Sequence, residues 1–312
     1  MCTHPVSIKN KKTLMYELHD CGVCIECRLK YTKAWAVRLL HEAQFYKDKC
    51  FLTLTYSPEE LPKDLSLNRK HMRQFFDELR KYIKPLKIKY FYAGEYGNPE
   101  SDPTLYVKEN GRPHFHAIIL GWYPKDAVFF KKVNGNNYYI SDELKKIWRR
   151  GFSSIGNVTF KSCRYTASYA MKKRKGKQKS FYEKNGIEPE YCCMSKGIGL
   201  RYINKFKDEL KKRGYIQCDG KKLGMFRYYE DKIYNEQEKE KRKEEKNEYR
   251  EKNFQNFSNS LEWNSYTEFC DKYREKFGRD IKKSSWLGYK SLQKDAERER
   301  RLKEKVERSR KK

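Results

Sequence analysis

Two histidines lie two residues apart in the segment 111–120, which reads GRPHFHAIIL. In a β-strand, alternate side chains point to opposite faces, so His114 and His116 would share one face. Glu95 follows a second strand-like segment, 87–93. If the two segments pair as an antiparallel hairpin, the carboxylate comes near both imidazoles. Such a set of three ligands binds a divalent ion and leaves coordination positions open for substrate oxygens.

A second group of candidate residues is Tyr165, Tyr169 and Lys172. Spacings of four and three residues place these side chains on one side of a helix. A tyrosine hydroxyl is a poor nucleophile at its ordinary pKa of about 10. A metal ion held by the histidines and the carboxylate would polarise a phosphodiester, and Lys172 would stabilise the phenolate. The expected products are a 5′-phosphotyrosyl enzyme and a free 3′-OH. Two tyrosines would allow a second cleavage before the first strand is released.

Each group has a simpler interpretation when it is taken alone. Two histidines near a strand end can be incidental, and tyrosines at helical spacing more often belong to a core or a surface. Two histidines with one carboxylate also hold Fe(II) in oxygenases. The net charge of +29, however, predicts a polyanionic partner. The 25 tyrosines and 17 phenylalanines suit stacking on unpaired bases. No phosphate-binding G-x-x-x-x-G-K-[ST] motif is present, so duplex unwinding would come from a partner.

The N-terminal region contains a run of cysteines, C-x-x-C-x-x-C, at Cys21, Cys24 and Cys27. Three thiolates at this spacing, with Cys2 or His4 as a fourth ligand, favour structural Zn²⁺. An iron–sulfur cluster and unligated thiols are the alternatives. The first residues carry no secretory signal, and no segment reaches the roughly 18 to 20 apolar residues of a membrane helix. We therefore expect a reducing cytosol and no membrane partner.

The hydrophobic periodicity predicts an α+β domain. Strands are expected at 51–56, 87–93, 112–120 and 153–160, and helices around 35–45, 71–84, 142–150 and 161–173. This order indicates a central antiparallel sheet with flanking helices. The expected division of the chain is a cysteine-rich segment (1–30), a catalytic domain (31–227) and a charged, helical or partly disordered tail (228–312).

At this point the chain resembles a known group, the HUH endonucleases that start rolling-circle replication. It is most similar to the replication initiators of small single-stranded DNA phages, the microviruses of the gokushovirus type. The resemblance rests on FLTLTY at 51–56, on the His-hydrophobic-His segment 111–117 and on the tyrosine segment 165–172. Segments 21–28, 94–97 and 194–199 match further landmarks of the phage proteins.

The resemblance implies dependence on Mg²⁺ or Mn²⁺, nicking of origin DNA and circularisation of displaced genomes in the host bacterial cytoplasm. The implied partners are single-stranded DNA, the origin region of duplex DNA and a host helicase. Tyr169 fits the Tyr-x-x-Lys pattern of one-tyrosine relatives, so it is the first choice as initiating nucleophile. Tyr165 would then alternate with it, although the order could be reversed. The alternatives are a transposase or relaxase of the same superfamily, and a non-catalytic zinc-dependent nucleic-acid-binding protein.

Overall fold

The computed structural model describes residues 6–9, 16–97, 111–169 and 180–259, with single positions at 264, 266–268, 270, 271 and 275. The strands within these ranges are β1 (Val6–Lys9), β2 (Tyr16–His19), β3 (Lys49–Thr55), β4 (Lys89–Tyr96), β5 (Pro113–Leu120), β6 (Val128–Val133), β7 (Asn136–Ile140), β8 (Ser153–Gly156), β9 (Tyr191–Met194), β10 (Tyr215–Cys218) and β11 (Lys221–Gly224). The helices are α1 (Ile25–Ala43), α2 (Arg69–Tyr82), α3 (Asp142–Trp148), α4 (Phe160–Ser168), α5 (Ser180–Asn185), α6 (Leu200–Arg213), α7 (Arg227–Ile233) and α8 (Glu236–Ser258).

The chain divides into two compact units, Arg28–Tyr229 and Met1–Cys27 with Glu230–Lys312. The first unit contains a seven-stranded sheet in the order β6–β7–β8–β3–β5–β4–β9. Every neighbouring pair in this sheet is antiparallel. The predicted α+β class with a central antiparallel sheet and flanking helices is therefore confirmed. The predicted domain boundaries stay a prediction.

The alternation of side chains along β3 and β5 gives the sheet two buried faces. Leu52, Leu54 and Phe115 lie on one face, in a cluster with residues of α2 and α3: Met72, Phe75, Phe76, Leu79, Leu144, Ile147 and Trp148. The opposite face carries Phe51 and Ile118, which cluster with residues of α1 and α4: Ala36, Leu39, Ala43, Cys163 and Ala167. Burying each large apolar side chain contributes about 1.5–3 kcal/mol. Since the histidines of β5 alternate with Phe115, they face the side of the sheet that α4 covers.

The predicted strand at 153–160 is wrong in its second half. β8 ends at Gly156, and α4 begins at Phe160. The Thr159 side chain accepts a hydrogen bond from the Ser162 N–H, and the Ser162 hydroxyl accepts one from the Thr159 N–H. This reciprocal capping box satisfies two backbone donors and starts the helix. The end of the predicted helix, 170–173, lies outside the described residues.

The hairpin of β6 and β7 was not predicted from the sequence, although a signal for it is present. Asn134 and Gly135 join the two strands with φ angles of 49° and 77°. Two positive φ angles are typical of the type I′ turn, for which Asn-Gly is a preferred pair. A bulge interrupts the pairing between Phe129 and Lys131. This hairpin forms one edge of the seven-stranded sheet.

The second unit contains the β1–β2 pair and α8. α8 carries charges of both signs, including an exposed pair between Lys239 and Glu236 at 2.9 Å. This helix confirms the helical character of the predicted tail as far as residue 258. The charged segment 295–312 lies outside the described residues. Among the helices of the described ranges, none combines the length and apolar character needed to cross a membrane.

Candidate active site

The three predicted metal ligands lie side by side on β4 and β5. Strand pairing places Glu95 opposite His114. The Glu95 Oε1 atom lies 2.7 Å from His114 Nε2 and 3.2 Å from His116 Nε2. Glu95 and His116 are buried, whereas His114 is partly exposed. The structure therefore brings these three side chains together as a group of potential metal ligands.

The second ring nitrogen of each histidine is also bonded. His114 Nδ1 lies 3.1 Å from the carbonyl oxygen of Arg112, which can only accept a hydrogen bond. The proton of a neutral His114 ring is therefore on Nδ1, and the lone pair on Nε2 faces Glu95. His116 Nδ1 lies 3.1 Å from the hydroxyl of Thr53.

A lone pair that faces a carboxylate oxygen is repelled unless a proton or a metal cation lies between them. The imidazoles, fixed through Nδ1 with Nε2 turned towards a carboxylate, match the usual environment of metal-bound histidine. The donor set thus fits a divalent cation. Mg²⁺ or Mn²⁺ as its identity stays a prediction.

α4 brings both predicted tyrosines to the same imidazole. The Tyr169 ring stacks on His116 with centroids 4.8 Å apart and an interplanar angle of 7°. The Tyr165 ring meets His116 edge-on, at 5.1 Å and 74°. Phe51 also stacks on this imidazole, at 5.6 Å. Lys172, the third member of the predicted group, lies outside the described residues.

The two tyrosines differ in exposure. Tyr169 is 3% exposed, whereas Tyr165 is 49% exposed. Burial raises the pKa of Tyr169 far above its usual range, and the nearby Glu95 carboxylate raises it further. Burial also raises the pKa of Tyr165, but its hydrogen bond with Tyr169 lowers it. Tyr165 is therefore the more accessible hydroxyl, and a cation beside Glu95 would oppose the charge that disfavours both phenolates.

The histidines open into a cleft of about 890 Å³, which Tyr165 also lines. The charged side chains among its described lining residues, Arg112, Lys131 and Lys161, are all cationic. Lys131 belongs to the β6–β7 hairpin, whose β6 side chains are exposed. On this side of the sheet Phe130 and Phe152 are exposed, and their rings lie 5.6 Å apart. Exposed aromatic rings beside cationic side chains suit the stacking of unpaired bases and the binding of phosphates.

Thr53 is a site residue that the sequence analysis missed. It lies opposite His116 in the β3–β5 pairing. Its hydroxyl contacts the Nδ1 atom and so orients the ring. The signal was a polar residue two positions from Thr55 in the otherwise apolar segment 51–56.

Gly111 sits where the ends of β4 and β5 approach most closely. Its φ is +72°, and a Cβ atom there would lie 1.8 Å from the carbonyl oxygen of Gly97. Gly135 has a similar φ of +77°, but a Cβ atom there meets nothing within 4 Å. Gly135→Ala should therefore lower the free energy of unfolding by about 1–2 kcal/mol, from backbone strain alone. We expect Gly111→Ala to lower it further, because the clash adds to the strain. Thermal unfolding of both variants measures the difference, and equal losses would contradict the close approach.

The structure also groups the sulfur atoms of Cys21, Cys24 and Cys27, all within 4.8 Å of one another. None of these cysteines is in a disulfide. Cys2, the predicted fourth ligand, lies outside the described residues.

A family profile for the replication-associated protein ORF2 matches residues 49–174 of this chain. That range contains the carboxylate, both histidines and both tyrosines of the site. No solved structure matches the chain.

Three phage proteins are similar over most of the chain. Replication-associated protein VP4 of Bdellovibrio phage phiMH2K is 31% identical over 238 residues, covering 72% of this chain and 70% of that protein. Replication-associated protein ORF2 of Spiroplasma virus 4 is 32% identical over 218 residues, which are 66% of this chain and 63% of that protein. For replication-associated protein ORF4 of Chlamydia phage 1, the identity is 30% over 219 residues, and the shares are 68% and 52%. This chain therefore belongs to the family of replication-associated proteins of small phages.

Proposed function

We propose that this protein is an HUH-type endonuclease and strand transferase that initiates rolling-circle replication. It nicks single-stranded origin DNA through a tyrosine and later rejoins the displaced strand into a circle. The observation that carries the proposal is the convergence of Glu95, His114 and His116 beside Tyr165 in a cationic cleft. The printed names of the relatives support a role in replication over transposition or plasmid transfer.

In this proposal Glu95, His114 and His116 hold Mg²⁺ or Mn²⁺, which polarises the scissile phosphate when bound. The chain supplies the rest of the arrangement. Thr53 and the Arg112 carbonyl orient the two imidazoles through Nδ1. The cationic side chains of the cleft bind the flanking phosphates and keep the strand in place.

We assign the first attack to Tyr165, because its ring is half-exposed and lines the cleft. The phenol oxygen forms a bond to phosphorus, and the bond from phosphorus to the 3′ oxygen breaks. The net result is that the phenol proton is transferred to that oxygen, which leaves a 5′-phosphotyrosine and a 3′-OH. Tyr169 then makes the second attack. The opposite order, which the Tyr-x-x-Lys pattern favours, stays a prediction and is separated experimentally in the Discussion.

The exposed rings of Phe130 and Phe152 are the proposed stacking surface for unpaired bases. Replacing both with alanine should weaken binding of single-stranded DNA by about 1–3 kcal/mol for each base that loses its stacking partner, or roughly 5- to 150-fold. Tyr82→Ala is the matched control, since this exposed tyrosine lies on α2, which covers the other face of the sheet. Fluorescence anisotropy of a labelled oligonucleotide measures the effect. Equal affinities for the two variants would remove the hairpin from the DNA-binding surface.

Cleavage of short single-stranded DNA fragments that tile the phage genome tests the function as a whole. We expect one fragment to be cut in the presence of Mg²⁺ or Mn²⁺, and no fragment to be cut with EDTA. Tight binding without cleavage, with any divalent ion, would favour the non-catalytic nucleic-acid-binding alternative. A host helicase in the bacterial cytoplasm is the proposed partner that unwinds the nicked duplex.

A further inference from the structure

The cluster of Cys21, Cys24 and Cys27 is made of residues that the proposed nicking chemistry does not use. The Sγ atoms of Cys21 and Cys27 are 4.0 Å apart. Around a tetrahedral zinc ion with Zn–S bonds of about 2.3 Å, two sulfur atoms lie about 3.8 Å apart. In an iron–sulfur cluster each thiolate binds a different iron atom, which holds the sulfurs farther apart. The spacing therefore fits a single metal ion.

The backbone around Cys21 supplies an independent observation. The N–H groups of Val23 and Cys24 both point at Cys21 Sγ, at 3.4 Å and 3.3 Å. Two N–H donors on one sulfur favour its deprotonated form, because hydrogen bonds to an ionised acceptor are stronger than those to a neutral one. The thiolate is also the form that binds a metal ion.

Gly22 allows the loop to fold back over this sulfur. Its φ is +68°, and a Cβ atom at this position would meet nothing within 4 Å. The glycine is therefore needed for the left-handed backbone conformation and not for space. The loop between Cys21 and Cys24 is thus shaped to direct its N–H groups at a sulfur atom.

The start of α1 favours the same charge. Cys24 immediately precedes the helix, and Cys27 lies in its first turn. Three thiolates with one Zn²⁺ carry a net charge of −1, which the positive end of a helix stabilises. Burial of Cys27, at 7% exposed, keeps one ligand away from water.

We infer that Cys21, Cys24 and Cys27 bind one structural zinc ion that fixes the N-terminal end of α1. Three thiolates leave a fourth coordination position, which a further protein ligand fills in closed structural sites. The inference does not depend on the proposed nicking function, because none of its ligands takes part in the site formed by Glu95 and the two histidines.

Metal analysis of the full-length protein, purified without added zinc, tests the inference. We expect about one zinc per chain, retained in Cys270→Ser and in His114→Ala/His116→Ala, and lost in Cys21→Ser/Cys24→Ser. Cys270 is the matched control, since it is a partly exposed cysteine outside the cluster. Zinc that remains in Cys21→Ser/Cys24→Ser, or that disappears from the histidine variant alone, would overturn the assignment. Iron with acid-labile sulfide in the wild type would overturn it as well.

A measurement on the wild-type protein covers the case in which the cysteine variant does not fold. Replacing the bound metal with Co²⁺ should produce the near-ultraviolet absorption of thiolate-to-cobalt charge transfer. Blocking the thiols with a mercurial reagent should then release the metal. Absence of this absorption, or release of no metal when the thiols are blocked, would show that the cysteines are not ligands. Both results can be obtained whether or not the protein cuts DNA.

Discussion

Tyr165→Phe is expected to lower the first strand cleavage by at least about a thousandfold, the scale of losing a nucleophile. Tyr169→Phe should keep that cleavage and lose the joining step. The reason is access, because Tyr165 is half-exposed in the cleft whereas Tyr169 is buried against His116. Single-turnover cleavage and a joining assay with a second oligonucleotide measure the two steps separately.

Tyr82→Phe is the control for these variants, since it removes the same hydroxyl from a tyrosine on α2. It should leave both steps unchanged. If Tyr169→Phe removes the first cleavage and Tyr165→Phe keeps it, the order suggested by the Tyr-x-x-Lys pattern is right. If the variant with both replacements still cleaves, neither tyrosine is the nucleophile.

Glu95→Gln is expected to weaken Mn²⁺ binding and to reduce nicking, each by at least about a hundredfold. Replacing groups that only support the ligands of metal sites typically weakens binding or activity 10- to 100-fold, and a ligand should matter more. The amide has the shape of the carboxylate but lacks its charge. Calorimetric titration with Mn²⁺ and the dependence of nicking on Mn²⁺ concentration provide the two readouts.

The same substitution separates a metal-binding role from a structural one. Glu95 is buried, and a buried carboxylate without a cation destabilises the folded chain. Glu95→Gln should therefore unfold at no lower temperature than the wild type when metal is absent. A large loss of thermal stability with an unchanged dependence on Mn²⁺ would instead make Glu95 a structural residue. Thr53→Val is the graded comparison, since it removes only the partner of His116 Nδ1. We expect a smaller loss from it, about 10- to 100-fold in metal affinity.

The sequence predicted the metal-ligand group from strand geometry alone. Side chains two apart on β5 share a face, and pairing with β4 places Glu95 opposite His114. These are local rules, so spacing was enough to apply them. The helices and strands of the core were predicted for the same reason, since their apolar periodicity is regular.

The difference between the two tyrosines was beyond sequence reasoning. A spacing of four residues places both on one side of α4, but it does not say which ring lies against β5. That depends on how deeply the helix packs on the sheet, through contacts between residues far apart in sequence, such as Cys163 and Ile118. The role of Thr53 was missed for a related reason. A threonine in a strand has no distinctive signal until the strand pairing brings it next to His116.

The measurement that tests the central claim most directly is the identification of a covalent bond between this chain and DNA. Wild-type protein is incubated with the cleaved single-stranded fragment and Mn²⁺, digested with trypsin and nuclease, and analysed by mass spectrometry. Trypsin cuts after Arg164 and Lys172, so both tyrosines fall in the peptide 165–172. We expect this peptide to carry a nucleotide joined through its 5′-phosphate, with the modification on Tyr165. Cleaved DNA with free 5′-phosphates and no modified peptide would contradict the account, because water would then be the nucleophile.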